Sequence, residues 1–89
     1  SRGGIVDERA LCERLTSGEL GGAGLDVFEV EPLSAKSPLL NLENVVVAPH
    51  IGSASQRTRV RMGEMAVANA VAGLLGKKLP NCANREGYD

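Results

Sequence analysis

The fold is decided by the stretch Val45-Val46-Val47-Ala48-Pro49-His50-Ile51-Gly52-Ser53. Its first four residues are a short, mostly β-branched apolar run, which is typical of a buried strand in a parallel sheet. His50 therefore stands at the carboxyl end of a strand and before a helical pattern, where open α/β sheets bind their ligands. Because it is the only histidine in the chain, His50 is the simplest candidate for acid–base chemistry near neutral pH. The alternative is a histidine that merely ends the strand and bonds to a neighbour.

Strands and helices alternate around this stretch. Residues 1–6 are predicted to begin in the last part of a strand. Residues 7–17 are predicted to form a helix and residues 23–28 a second strand. Residues 45–48 form the third strand, and residues 55–75 a long helix whose small residues indicate close packing on another helix or a sheet. This order predicts a parallel sheet with helical cover. Three partial strands cannot make a sheet with both faces covered, so we expect the last part of a larger doubly wound domain.

Capping and turn residues mark the ends of these elements. Asp7 is predicted to cap the first helix, and Gly18 to end it. Prolines keep the segment before the third strand irregular, and its leucines are expected to anchor it to the core. Gly76 is predicted to end the long helix, and residues 79–89 to be extended.

Composition narrows the possible functions. The chain of 89 residues has a net charge of −1 with both signs interspersed, so nothing favours nucleic acid or an anionic membrane surface as a partner. No apolar run approaches the length of a membrane span. Cys12 and Cys82 lack metal-site spacing and are predicted to be free thiols in a reducing compartment, with a single disulfide as the alternative. We therefore expect a cytoplasmic protein.

Three side chains at strand ends carry usable chemistry: Arg2, Glu31 and His50. The carboxyl ends of parallel strands share one edge of a sheet, so these groups are expected to converge. An arginine fork grips a carboxylate in two hydrogen bonds, and a carboxylate beside a histidine favours its charged form. Reduction of a 2-oxo acid needs these two roles and a source of hydride. The alternatives are a solvated chain end for Arg2 and an ordinary loop carboxylate for Glu31; Glu29 is predicted to be a solvated neighbour.

Three blocks of sequence carry a resemblance to a known family. They are Ser1-Arg2-Gly3-Gly4-Ile5-Val6-Asp7, Ala23-Gly24-Leu25-Asp26-Val27-Phe28-Glu29-Val30-Glu31-Pro32 and Ala48-Pro49-His50-Ile51-Gly52-Ser53-Ala54. In this order they resemble the D-isomer-specific 2-hydroxyacid dehydrogenases, over almost the whole chain. The start of the long helix, Ser55-Gln56-Arg57-Thr58-Arg59, is most similar to the glyoxylate and hydroxypyruvate reductase branch.

The resemblance implies three catalytic residues. Arg2 would bind the substrate carboxylate and polarise its carbonyl. His50 would give a proton to the substrate oxygen as hydride arrives from NAD or NADP, and Glu31 would keep His50 charged near neutral pH. The substrate would be a small 2-oxo or 2-hydroxy acid of the glyoxylate or hydroxypyruvate type.

The resemblance also implies contacts with the cofactor and the substrate. Ser1, Asp26, His50 and Gly52 would bind the cofactor, with Asp26 facing the nicotinamide. Ser53 would join Arg2 and His50 at the substrate. The alternative for Asp26 is a carboxylate that caps a turn or satisfies backbone amides.

By the same resemblance, residues 1–54 would be the C-terminal portion of a Rossmann-like NAD(P)-binding domain. Residues 55–75 would be the long helix, and residues 76–89 a tail that returns to a substrate domain. The 89 residues contain no G-x-G-x-x-G phosphate loop. We therefore expect this chain alone to be inactive. The resemblance also implies that the parent protein is a homodimer.

Other functions have the same sequence features. Dinucleotide-dependent corepressors resemble this family in fold and in the catalytic trio, and act by recruiting proteins. A structural remnant without activity is a third interpretation. A metal site at Glu31 and His50 is not predicted, because no third ligand has suitable spacing.

Overall fold

The computed structural model describes residues 1–88, which contain two α-helices, two β-strands and two short 3₁₀ helices. Helix α1 spans Glu8–Ser17, strand β1 Ala23–Leu25, strand β2 Val45–Val47 and helix α2 Gln56–Leu74, and the 3₁₀ helices span Pro38–Asn41 and Arg85–Tyr88. The chain divides into two compact units, with the boundary after Gly52. The predicted division at residue 54 stays a prediction.

The two strands of the first unit form a parallel pair, as predicted. Ala23 lies opposite Val45 and Leu25 opposite Val47. Both strands are shorter than predicted, because the ladder closes where the Ala48 N–H donates to the Leu25 carbonyl oxygen at 2.8 Å. Beyond that bond the chain after β2 is held by the carboxylate of Asp26, the residue directly after β1, and leaves the pleat.

The strand end predicted for residues 1–6 is wrong. These residues form a turn in which the Ile5 N–H donates to the Arg2 carbonyl oxygen at 3.4 Å. Gly4 has a φ of 84°, in the left-handed region that glycine adopts without penalty. Within residues 1–88 no strand pairs with this segment, so no inter-strand hydrogen bonds hold its backbone in an extended conformation.

Helix α1 forms as its capping residues predict, and it supplies part of a small core. Asp7 Oδ1 accepts a hydrogen bond from the Ala10 N–H at 3.1 Å, and Gly18 ends the helix with a φ of 80°. Among the residues whose burial is described, the buried apolar side chains are Leu15, Phe28 and Leu39. Leu39 lies in the first 3₁₀ helix, so the segment predicted to be irregular has one regular turn, anchored by a leucine as expected.

Helix α2 begins as predicted, with Ser55 as its N-cap. No residue of α2 is buried within the described part of the chain, so the close packing predicted for its small residues is not found there. The tail is not simply extended: the Asn81 N–H donates to Asn69 Oδ1 at 2.9 Å, which ties the tail to α2. Neither helix, in the part of the protein described, combines the length and the apolar character that crossing a membrane requires.

Candidate active site

His50 lies just beyond β2 and has a left-handed backbone conformation, with a φ of 58°. A residue with a β-carbon seldom adopts this conformation unless its surroundings hold it there. Asp26, just beyond β1, provides that support. Its Oδ1 accepts a hydrogen bond from the Ile51 N–H at 2.8 Å, and its Oδ2 one from the Gly52 N–H at 2.7 Å. The carboxylate thus holds the backbone directly after His50.

The same contacts determine the charge of Asp26. The Ile51 N–H has the largest effect on the pKa of its carboxyl group and lowers it below its usual 3.8. Desolvation acts in the opposite direction, while the Gly52 N–H and the nearby His50 lower the pKa further. This geometry matches the backbone-amide alternative for Asp26. An ionised carboxylate has about four acceptor positions, so these contacts leave capacity for another donor, and the cofactor contact stays a prediction.

Gly52 is a glycine because Asp26 approaches it closely. A β-carbon at this position would lie 3.0 Å from Asp26 Oδ2. The carboxylate that binds the Gly52 N–H therefore leaves little room for a side chain at this position. The contact of Gly52 with the cofactor stays a prediction.

Glu31 and His50 are in direct contact, as predicted from their positions at the strand ends. Glu31 Oε1 lies 2.8 Å from His50 Nδ1, and the two side chains are 38% and 41% exposed. A carboxylate only accepts hydrogen bonds, so Nδ1 carries the proton and donates. The other ring nitrogen, Nε2, is then the one available for proton exchange. The pair borders an open cleft of about 600 Å³ lined mainly by apolar side chains.

Arg2 completes the trio on the opposite side of the imidazole. Its Nη1 lies 3.4 Å from His50 Nε2 and donates to the Ser1 carbonyl oxygen at 3.2 Å. Guanidinium groups have no acceptor, so the contact with Nε2 is a hydrogen bond only when that nitrogen is unprotonated. The structure therefore brings the three residues together, with Arg2 at one ring nitrogen of His50 and Glu31 at the other.

Sequence reasoning missed the residue that fixes Arg2 in place. A β-carbon on Gly3 would lie 2.1 Å from the Phe28 carbonyl oxygen, closer than any real contact. The segment that carries Arg2 is therefore pressed, backbone against backbone, on the loop that leads to Glu31. The double glycine after Arg2 was the available signal, but nothing in it identified Phe28 as the neighbour.

Glu29 is exposed, as predicted, but it also makes specific hydrogen bonds. Its Oε1 accepts a hydrogen bond from the Glu8 N–H at 3.2 Å, and its own N–H donates to Glu8 Oε2. These two glutamates join the start of α1 to the loop after β1.

The remaining predicted contacts stay predictions. The Ser1 carbonyl oxygen accepts from Arg2, while Ser53 opens the second unit, two residues before the N-cap of α2. Cys12 and Cys82 are free thiols, as predicted. Among residues 1–88, no three His, Cys, Asp or Glu side chains are grouped so as to hold a metal ion.

Comparison with known proteins is consistent with this geometry. Residues 1–52 match the family described as D-isomer specific 2-hydroxyacid dehydrogenase, NAD binding domain. Glyoxylate/hydroxypyruvate reductase B of Salmonella newport is 57% identical over 83 residues, which are 93% of this chain and 26% of that protein. The chain thus spans about a quarter of the length of the curated relatives it matches.

Two solved structures illustrate the likeness in fold. The NADPH-dependent glyoxylate/hydroxypyruvate reductase of Sinorhizobium meliloti, in complex with NADP and malonate, is 47% identical with a TM-score of 0.73, over 81% of this chain and 22% of its own. A D-isomer specific 2-hydroxyacid dehydrogenase from Xanthobacter autotrophicus Py2, in complex with NADPH and MES, is 43% identical with a TM-score of 0.75, over 99% of this chain and 36% of its own. These matches confirm the predicted α/β fold, part of a Rossmann-like NAD-binding domain.

Proposed function

Because this chain belongs to the D-isomer-specific 2-hydroxyacid dehydrogenases, we propose that the protein containing it transfers a hydride between NAD(P)H and a small 2-oxo acid. Glyoxylate and hydroxypyruvate are the proposed substrates, since a relative 57% identical to the chain is named for them. The observation that carries the proposal is the line of contacts from Arg2 through His50 to Glu31.

The trio suits an anionic substrate with a neighbouring carbonyl group. Arg2 and a protonated His50 both present N–H donors and cannot hydrogen-bond to each other. An acceptor placed between them can accept from both. A 2-oxo acid offers two such acceptors, its carboxylate and its carbonyl oxygen. We assign the carboxylate to the fork of Arg2 and the carbonyl oxygen to His50 Nε2.

Glu31 and His50 divide the proton chemistry between two ring nitrogens. Glu31 holds the proton on Nδ1, at 2.8 Å, so the proton that moves to the substrate oxygen is the one on Nε2. The neutral ring left behind accepts on Nε2, and Arg2 is the donor that faces it at 3.4 Å.

Several residues fit a nicotinamide cofactor. Asp26 keeps acceptor capacity for an amide donor, and of the other proposed cofactor contacts Gly52 binds Asp26 through its N–H at 2.7 Å, while His50 lies close enough to lower the pKa of its carboxyl group. The nicotinamide supplies the hydride when it is bound. Either NAD or NADP is compatible with these residues; the two relatives above were crystallised with NADP and NADPH.

The test is an NAD(P)H oxidation assay, with glyoxylate and hydroxypyruvate, on the protein that contains this sequence. We expect turnover, and we expect His50→Gln to lower kcat by about 10²–10⁴-fold, the usual contribution of a general acid. Arg9→Gln is the control, because the Arg9 side chain is 90% exposed and lies on α1. Absence of turnover in the wild type, or full turnover in His50→Gln, would contradict the proposal. A protein that only recruits partners would keep partner binding in the His50 variant.

A further inference from the structure

We propose that Glu8 and Glu29 are positioning residues that hold Glu31 against His50. Their effect on turnover rests on the proposed function, whereas their effect on the His50 ring does not. Neither residue was a candidate in the analysis of the sequence.

The two glutamates bind each other's backbone. The Glu8 N–H donates to Glu29 Oε1 at 3.2 Å, and the Glu29 N–H donates to Glu8 Oε2. Glu8 is the first residue of α1, so its N–H has no partner within the helix and is free to make this contact. The reciprocal pair joins two segments that are 21 positions apart in sequence.

The loop between β1 and Glu31 is fixed at two further points. Phe28 is buried in the core, at 6% exposure. The backbone of Gly3 presses on the Phe28 carbonyl oxygen, where it leaves no space for a β-carbon. Glu31 lies two residues after Glu29. The Glu8–Glu29 pair is therefore the contact nearest in sequence that holds the backbone before Glu31, whose carboxylate binds His50.

Glu31 itself is exposed enough to need such support. Its side chain is 38% exposed, and its described hydrogen bond is the one to His50 Nδ1. The charged groups that face the imidazole are Glu31, Arg2 and, through the backbone after it, Asp26. The hydrogen bonds of Glu8 and Glu29 go to each other's backbone instead, so the pair acts on His50 through the position of Glu31.

Loss of the pair should therefore change the tautomer of His50. With Glu31 in place, Nδ1 carries the proton of the neutral ring. If the loop moves, the neutral ring is free to place its proton on Nε2, and the nitrogen that faces Arg2 changes from acceptor to donor.

Long-range ¹H–¹⁵N NMR of the His50 ring tests this proposal in the protein that contains the chain, with His50→Gln used to assign the signals. Glu8→Ala removes the acceptor for the Glu29 N–H, and we expect it to raise the Nε2–H tautomer to a readily visible share. Glu8→Gln keeps an amide oxygen as acceptor and should retain the wild-type spectrum. Glu13→Ala is the matched control, because Glu13 lies on the same helix with a 68% exposed side chain. An unchanged tautomer ratio in Glu8→Ala, or the same change in Glu13→Ala, would overturn the proposal.

Kinetics give an independent readout. Glu8→Ala should lower kcat about tenfold through misplacement of the proton donor, with the KM for the cofactor unchanged, and Glu8→Gln should recover most of the loss. An equal loss in Glu8→Gln and Glu8→Ala would contradict the role assigned to the acceptor. If the wild type shows no reductase activity, the proposed function fails, while the NMR comparison still decides the role of Glu8 and Glu29.

Discussion

Asp26 illustrates how one side chain sets the geometry of a neighbouring reactive group. Its two carboxylate oxygens accept the N–H groups of Ile51 and Gly52, the two residues after His50. The backbone of His50 is held in the left-handed region as a result. Asp26 therefore acts on His50, the proposed proton donor, through the main chain, in addition to the proposed contact with a cofactor.

The charge of Asp26 leads to a prediction about pH and stability. The pKa of Asp26 is lowered below 3.8, first by the Ile51 N–H, so the ionised carboxylate stabilises the fold above that pH. The contribution is lost as the pH falls through the lowered value of the folded state. We expect Asp26→Asn to be less stable than the wild type at pH 7, and the difference to shrink below pH 3.8. Urea denaturation at several pH values measures this.

Glu13→Gln is the control for Asp26→Asn, because it removes an exposed carboxylate from α1. It should show little difference from the wild type at neutral pH. A stability difference for Asp26→Asn that is as large at pH 3 as at pH 7 would contradict the assignment of the effect to the ionised carboxylate.

Arg2 is the side chain for which the kind of positive charge should matter. Lysine keeps the charge of Arg2 but loses the planar fork that binds a carboxylate through two hydrogen bonds. We expect Arg2→Lys to lower kcat/KM for a 2-oxo acid by about 10²-fold, roughly the worth of two charge-assisted hydrogen bonds. Steady-state kinetics with glyoxylate measure the change. Arg9→Lys should be neutral, and equal kinetics for the two variants would remove Arg2 from the substrate site.

Contacts between backbone segments decide where the three side chains stand. Gly3 lets the N-terminal turn lie directly on the Phe28 carbonyl oxygen, and Gly22 likewise lies close to the Asn44 carbonyl oxygen at the start of the sheet. In both places a β-carbon would fall within 3.0 Å of backbone oxygen. Small residues thus set the distance between segments that carry the candidate site.

Gly3→Ala should separate Arg2 from the loop that carries Glu31. The β-carbon would lie 2.1 Å from the Phe28 carbonyl oxygen, so the N-terminal turn must move. We expect a loss of about 1–3 kcal/mol in the free energy of unfolding, as is usual for overpacking, and a fall in kcat/KM of about tenfold or more from misplacement of Arg2.

Gly4→Asn is the matched control for Gly3→Ala. Gly4 has a φ of 84° and open space around its Cα, and asparagine tolerates this conformation. Denaturation and steady-state kinetics should show a smaller loss for Gly4→Asn than for Gly3→Ala, because only the cost of a positive φ is added at Gly4. An equal effect of the two variants would show that the close approach to Phe28 is not the cause.

The 89 residues contain some sequence features of a dehydrogenase and lack others. The trio and the NAD-binding family match fall in residues 1–52, while the sequence contains no G-x-G-x-x-G phosphate loop. We therefore expect a polypeptide of these 89 residues, verified by intact mass, to show no NAD(P)H-dependent turnover with glyoxylate. The longer protein that contains it serves as the positive control, and measurable turnover by the 89-residue polypeptide would refute this expectation.

Local signals in the sequence were sufficient for the class of fold and the order of its elements. Asp7, Gly18 and Ser55 mark helix ends because capping depends on a few neighbouring residues. The apolar run of β2 predicted a buried parallel strand; the strand is parallel, but Val46 is 73% exposed. The family match confirmed the dehydrogenase resemblance and the NAD-binding fold. The strand ends and the tail were less accurate, because a ladder stops where its partner stops.

The sequence by itself determined the parallel α/β fold and which side chains, Arg2, Glu31 and His50, meet at the sheet edge. Only the tertiary structure decided what holds them there: the carboxylate of Asp26 on the backbone after His50, Gly3 on Phe28, and the Glu8–Glu29 pair. The physical reason is separation along the chain. Asp26 and Ile51 are 25 positions apart, and Glu8 and Glu29 are 21 apart. No local pattern or capping rule specifies which distant N–H a carboxylate will find once the strands have paired.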